Sequence, residues 1–472
     1  MLEPIVTKLK TFRDQLYNLF DKRRDASFEL IDALSSNLSA TSVVELSLNP
    51  VHRRNYCSIT RAMEAFDLTD KYKKAMPEAL EALLSNQCEL PVQRGHHLIA
   101  VDCTPNARVH ASTQADRGFV HAPSHISGNK PITIGHQYSI AVYLPEKPYG
   151  NSAWILPLSC QRVCSDEKGA LVGMQQITRC IKEKAAFKDS LCVVVADAAY
   201  STPECLAETG GNKDQIQISR LRSNRVVYQQ AKCMDEVKLG KKKRYGEVFK
   251  LNDKTTWSEA DESTSFDTTT RRGKTQTIEI KCWNNLLISG THDANVSDIP
   301  FRLIQISAYR SDGKACFKKP LWLLVAGQRK SELSLQQIFD DYRQRFDIEH
   351  FFRFAKNRLL MDKFQTPDLQ HEEAWWQFVI MAYAQLYMAK DIAQNMPKPW
   401  EKYLPGFKAG NPSPTQVQKD FPRIIRLFGT PAKPSKPRNN APGRKLGDKQ
   451  TPRIRHPVIQ KGKGKLNMPK AG

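Results

Sequence analysis

The chain has 472 residues, of which 40% are hydrophobic and 25% charged. That is the balance of a folded multi-domain protein, too long for one compact core and too apolar to be wholly disordered. Lys and Arg number 71 against 49 Asp and Glu, a net charge of +22, which points to a polyanionic partner. Nucleic acid is the commonest such partner, and an anionic membrane surface is the rival. The 11 Cys form no C-x-x-C pair, so neither a zinc site nor a disulfide framework is expected, and reduced cytosolic thiols are the default. No apolar run reaches the length of a membrane span, and no secretory signal is expected.

Residues 1–92 read as helical. Within them "TSVVELSLNPVHRRNYCSITRAMEAF" (41–66) has two helical patterns split by Asn49-Pro50. This has the rhythm of a helix-turn-helix, although plain bundle helices share it. Arg53, Arg54 and Arg61 favour a nucleic-acid role for the pair. From residue 97 the texture changes. "HLIAVDCTP" is a short apolar strand ending in Asp102, and 137–144 and 152–159 are two further strand candidates. A helical stretch follows at 171–188. "SLCVVVADAAYS" (190–201) is a continuous apolar run closed by Asp197, as in strands buried on both faces. Another strand is expected at 215–222.

Residues 223–317 are rich in Lys, Arg, Thr and Ser, with short strands at 277–283 and 302–309. They read as a β-rich insertion. "PLWLLVAG" (320–327) returns to an apolar strand, and Ser334 with Gln337 fits a capping box at the start of the next helix. That helix carries "DYRQRFDIEHFFRFAK" (341–356). At about 100° per residue, Tyr342, Arg345, Glu349 and Lys356 share an arc of about 60°. Four Phe surround them, so the spacing predicts a helix held in the core with one polar stripe. An Arg345–Glu349 salt bridge at i,i+4 accounts for part of that stripe. A helix over 372–395 follows. Residues 431–472, rich in Pro, Gly and Lys, read as a disordered basic tail.

Asp102 and Asp197 each close an apolar strand, and in α/β sheets functional groups gather at strand ends. Three carboxylates brought together repel one another unless cations sit between them. A pair of hard divalent cations takes oxygen ligands and clamps the oxygens of an in-line phosphoryl displacement. Such a triad in a strongly basic protein suggests cutting or joining a nucleic-acid backbone.

The spacing Tyr342-x2-Arg345-x3-Glu349-x6-Lys356 resembles the YREK signature of insertion-sequence DDE transposases, whose catalytic core is RNase H-like. "VDCTP" and "VVVADAAYS" are similar to the segments holding that family's two Asp, and a β-rich insertion before the Glu fits one branch of it. The resemblance covers about 95–395. It implies an α/β fold: an RNase H-like mixed sheet with a β-rich insertion, an N-terminal helical domain, C-terminal helices and a basic tail. The organisation expected is a helical region that binds DNA ends (1–92), the first part of the core (93–222), the insertion (223–317), the Glu-bearing part of the core (318–362), a C-terminal helical region (363–430) and the tail (431–472).

The resemblance implies that Asp102, Asp197 and Glu349 are catalytic and hold two Mg²⁺, with Mn²⁺ as a substitute. Tyr342, Arg345 and Lys356 would hold phosphates of the element's end. Trp322 would stack on a base flipped from that end, against the alternative of an ordinary core Trp, with Trp257 and Trp283 as weaker candidates. Arg220, Arg222 and Arg225 in "SRLRSNR" form a DNA-facing loop, and "KLGKKKRYG" (238–246) is a second basic run. The reaction implied is cut-and-paste transposition at terminal inverted repeats, through strand nicking, hairpin formation and strand transfer. Its partners are double-stranded DNA and a second subunit in the synaptic complex, with no membrane, in a bacterial cytoplasm or nucleoid. The alternatives are an RNase H-like nuclease without strand transfer and an inactive DNA-binding descendant.

Overall fold

The computed structural model describes residues 2–66, 75–122, 131–147, 152–231, 245–270, 273–394, 400, 403, 411–436, 446–447, 449 and 451–460. The N-terminal helices are α1 (Leu2–Asn18), α2 (Arg24–Ser35), α3 (Val43–Leu46), α4 (Cys57–Ala62) and α5 (Ala75–Ser85). The sheet begins with β1 (His97–Ala107), β2 (Gly118–His121), β3 (Ile132–Tyr143) and β4 (Leu156–Val163), followed by α6 (Gly169–Glu183), β5 (Cys192–Ala196), α7 (Pro203–Gly210) and β6 (Gln215–Leu221). The expected insertion supplies β7 (Val226–Gln230), β8 (Tyr245–Lys250), β9 (Glu262–Thr269), β10 (Thr275–Leu286) and β11 (Phe301–Arg310). Then come β12 (Leu321–Ala326), α8 (Leu335–Gln344), α9 (Asp347–Arg358), α10 (Leu369–Gln394) and α11 (Pro414–Phe428).

β3 lies antiparallel between β1 and β4, while β5 and β6 continue parallel to β1. This is the mixed RNase H-like core that was expected. β5 is buried along its whole length, as its uninterrupted apolar run requires. α6 can lie directly on the sheet because of Gly173, where an added Cβ would meet Val101, Ser139 and Tyr200 at under 3.0 Å.

The insertion is β-rich, but most of it is not a separate layer. β12 pairs antiparallel with β6, and β11, β10 and β9 follow in turn, so one sheet of ten strands runs through core and insertion alike. Only β7 and β8 form their own two-stranded sheet. A second hydrophobic cluster, containing Phe249, Trp283 and Trp322, fills the space between them.

The N-terminal helices pack on α10, whose middle is buried on all sides. The Arg13 guanidinium, buried among them, holds Asp32 Oδ1 at 2.6 Å and Gln385 Oε1 at 2.7 Å. α3 spans 4 residues, and α4 with the 3-10 turn that continues it (Met63–Phe66) packs Ile59, Ala62, Met63 and Phe66 into the helical core, so the pair is built as bundle helices. Among the described residues no helix is long and apolar enough to cross a membrane.

The tail departs from expectation where it is described. The carbonyls of Ala432 and Lys433 accept from Arg53 and Arg54. Farther on, the His456 N–H donates to Ser112 O (2.9 Å) and the Ile459 N–H to Arg117 O (2.8 Å), so this segment runs beside β2. Backbone hydrogen bonds hold these two short stretches of the expected tail.

Candidate active site

The register places the two aspartates. In the parallel ladder Ala100 lies opposite Val195. Two residues further along each strand, Asp102 faces Asp197 across neighbouring strands, which lie about 5 Å apart. Both side chains therefore leave the same face where the parallel ladder ends, the place where open α/β sheets hold ligands; β5 stops at Ala196, but β1 runs on to Ala107, so Asp102 lies mid-strand and does not close its strand as expected. The Asp102 carboxylate accepts from the Cys103 N–H at 2.8 Å, and that of Asp197 from the Ala199 N–H at 2.8 Å. Burial first, then the charge of Asp197, push the Asp102 carboxyl up to about 7; Arg345 and the Cys103 N–H act the other way, and Glu349 adds a little to the rise.

Glu349 arrives from above on α9, which packs against β1. The expected continuous helix is in fact two, α8 and α9, joined at Arg345 and Phe346. Both linking residues keep right-handed helical dihedrals. The turn tightens instead, with i−3 hydrogen bonds from Arg345 N–H to Tyr342 O and from Glu349 N–H to Phe346 O. The Ser334–Gln337 capping box at the start of α8 is present as expected.

The polar stripe survives the kink. Arg345 Nη2 lies 2.8 Å from Glu349 Oε1, and Nη1 lies 3.9 Å from Asp102 Oδ2, so one guanidinium bridges two of the three acids. The same guanidinium sits 5.9 Å from the Tyr342 ring centroid. Burial raises the Tyr342 hydroxyl, against the opposing charges of Arg345 and Arg220, so it stays a donor at neutral pH. Lys356 Nζ donates to Pro105 O (3.4 Å), further along β1, and burial lowers its pKa. Arg220, Arg222 and Arg225 are exposed at the end of β6 and in the turn after it. Residues 238–244 of the second basic run lie outside the described residues.

The four Phe of this stretch do not all anchor it. Phe351 and Phe354 are buried and Phe352 is half-buried, but Phe346, at the kink, is exposed. An aromatic face therefore stands three residues before Glu349. Asp347, two residues from Glu349, is buried and ion-paired with Lys147 on the other side of the helix. It is a structural acid.

Trp322 requires a correction. It is 2% exposed, with its ring 5.2 Å from Trp257, 5.7 Å from Trp283 and 6.3 Å from Phe249. A side chain enclosed in this way is core and offers no face to a base. Of the three tryptophans, Trp257 is the one that reaches the surface.

Residue-by-residue reading of the sequence missed Glu372. It is fully buried at the start of α10 and accepts from Asn106, Arg108, Gln114 and Tyr138, with His136 Nδ1 at 3.0 Å. Burial alone would raise its carboxyl; the His136 hydrogen bond and the Arg108 charge bring it down to about 2. This hub ties the far end of β1 to α10, four residues beyond Asp102. No local signal marks it, because its partners are scattered over the chain.

The donor set suits a hard divalent cation: it is all oxygen, with two carboxylates side by side, and the Asp197 charge adds to the rise that burial produces at Asp102. Among the described residues, however, no three His, Cys, Asp or Glu already converge closely enough to hold a metal ion. Glu349 is turned to Arg345, and it would have to leave that partner to join the aspartates.

No curated protein matches the chain. Among solved structures, a cryo-EM structure of the piggyBac transposase synaptic complex with hairpin DNA aligns over 89% of this chain and 73% of that chain, at 10% identity and a TM-score of 0.39. The family model described as DDE superfamily endonuclease matches residues 15–282, a span that includes Asp102 and Asp197 and ends before Glu349. Matched over more than half its length, the chain belongs to the DDE superfamily endonuclease family.

Proposed function

We propose that the chain is a DDE transposase of the YREK type that moves an insertion sequence by cut-and-paste. The observation that carries this reading is the placement of Asp102 beside Asp197 where the parallel ladder of β1 and β5 ends, with Arg345, at the junction of α8 and α9, reaching toward Asp102 and holding Glu349 of α9. Asp102, Asp197 and Glu349 would hold two Mg²⁺ or Mn²⁺ ions. When bound, these supply charge stabilisation at the scissile phosphate and a more acidic water.

The chain's own residues do the rest. Arg345 exchanges Glu349 for a phosphate oxygen, to which its planar fork is matched. Tyr342, held protonated, donates to the same phosphate, and Lys356 does so from the Pro105 side. Arg220, Arg222 and Arg225 extend the positive track along the duplex. Water oxygen forms a bond to phosphorus as the bond to the 3′ oxygen breaks and leaves a 3′-OH. That hydroxyl then attacks the opposite strand, giving a hairpin, or the target, each attack making one P–O bond and breaking one. The helical region 1–92 grips the element's end, and two copies of the chain pair two ends.

The test is to make Asp102→Asn, Asp197→Asn and Glu349→Gln separately and follow binding and cleavage of labelled terminal-repeat DNA with Mg²⁺. Retained binding with cleavage lost in each is the expected result. Robust cleavage by any one removes that residue from the triad. A wild-type protein that cuts but never joins a 3′ end to target DNA is a nuclease instead.

A further inference from the structure

A basic cleft of about 790 Å³ opens on the helical domain. Six cations line it (Arg23, Arg24, Arg53, Arg54, Arg61 and Lys436) against two acids, Asp21 and Asp25. Two of the arginines are set in place from beneath. Glu29, 1% exposed, accepts from the Arg53 backbone N–H at 3.1 Å and from its Nε at 2.9 Å, and lies 3.2 Å from Arg54 Nε. Asp25 accepts from the Tyr17 hydroxyl at 2.7 Å and from the Lys433 N–H at 2.9 Å. Together with the Arg53 and Arg54 bonds to Ala432 and Lys433, these contacts stitch the C-terminal segment to the helical domain and bring Lys436 to the cleft. With Glu29 beneath the arginines and Glu64 paired with Arg23 also counted, two positive charges remain in surplus in this concavity, a potential that favours an anion. Guanidiniums already fixed by a buried carboxylate lose little freedom when a phosphate arrives, and their geometry suits one.

We infer that this cleft is a second nucleic-acid site, which grips the phosphodiester backbone of duplex DNA without reading sequence. It rests on the reading above that the substrate is DNA. The cations lining the cleft are mostly guanidiniums, whose forks suit phosphates, so the contacts it offers are to the backbone. The cleft lies at the start of α2. Just past the other end of α2, the Asn37 side chain donates to Arg358 O at the end of α9 (3.0 Å). None of the residues lining the cleft belongs to the candidate active site, so a phosphate held here is not the scissile one.

The test substitutes three exposed cations of the cleft at once: Arg23→Gln, Arg61→Gln and Lys436→Gln. Affinity for a random-sequence 30-base-pair duplex is measured by anisotropy over a range of salt. Each lost phosphate contact lowers the slope of log K against log salt by about 0.9, so a fall of about 2 to 3 and at least a tenfold weaker affinity are expected. A control triple at Lys281, Lys318 and Lys319 should change much less, and circular dichroism should report an unchanged fold in both. An unchanged slope overturns the inference, as does an equal loss in the control, which would mean net charge alone. A triple variant that binds duplex DNA normally but loses affinity for structured RNA or for phosphatidylserine vesicles would assign the cleft to that partner instead. Asp102→Asn should bind with the wild-type slope, so failure of the carboxylate reading and failure of the cleft show up in different assays.

Discussion

Asp102→Asn should stabilise the metal-free protein while abolishing its chemistry. The Asp102 carboxyl stands at about 7 in the fold against an ordinary value of 3.8. A carboxyl raised by folding favours the fold while protonated. That contribution is complete below the unfolded value and is lost as pH rises through about 7. The difference of about three units corresponds to about 4 kcal/mol, and nearer 2 kcal/mol once the 24% of the side chain open to water is allowed for. Urea unfolding in EDTA, from pH 4.5 to pH 8.5, reads it directly. Wild type should lose about 2 to 4 kcal/mol over that range relative to Asp102→Asn, because the amide carries no charge to be buried. At pH 8 the variant should be the more stable of the two. Added Mg²⁺ should then raise wild-type stability by mass action and leave the variant nearly unmoved. An Asp102→Asn protein with the wild-type pH slope, or with lower stability at pH 8, would refute the argument that burial and the Asp197 charge penalise the Asp102 carboxylate.

Three further substitutions separate structural residues from site residues. Asp347→Ala breaks a buried ion pair with Lys147 and should cost about 3 to 5 kcal/mol in urea unfolding, unlike Glu349→Gln, whose side chain is 40% exposed. Trp322→Ala should also cost about 3 to 5 kcal/mol, because it empties the aromatic cluster; a stable variant defective only after the first nick would restore the base-stacking role. Phe346→Ala should leave the melting temperature unchanged and weaken binding of DNA with an unpaired terminal base by about 1 to 3 kcal/mol, the worth of one stacked base; equal binding by the variant would leave Phe346 no such role.

The parts of the fold legible in the sequence are those whose signal is local. β5 is an apolar run closed by Asp197, the apolar first half of β1 leads into Asp102, and α8 announces itself with a capping box. β9, "ESTSFDTT", was not legible, because an edge strand facing water on one side carries almost no apolar pattern. Nor was the joining of insertion to core. It depends on β12 pairing with β6, a non-local ladder that composition does not specify. Trp322 shows the same limit from the other side: a Trp of suitable spacing looks alike in sequence whether it faces DNA or Trp257 and Trp283. Arg53 and Arg54 were legible as basic residues, but not as the clasp on the C-terminal segment, since they hold it by its backbone carbonyls.

The i,i+4 salt bridge on α8–α9 and the polar stripe over the aspartates are one set of side chains. The i,i+4 pair of Arg345 and Glu349 is present at 2.8 Å, and the same guanidinium also reaches toward Asp102. The pair is half-buried, with Arg345 14% and Glu349 40% exposed, so DNA and cations can still reach it. Arg345 is matched to a phosphate, and Glu349 to a hard cation, at least as well as either is to the other. The kink at Phe346 keeps both side chains over the ends of β1 and β5 while Ile348, Phe351 and Phe354 fix the helix in the core. The stripe is thus held rigidly by its apolar neighbours while its charges stay within reach of DNA and cations, which is the arrangement a site needs when its charges must change partners as DNA arrives.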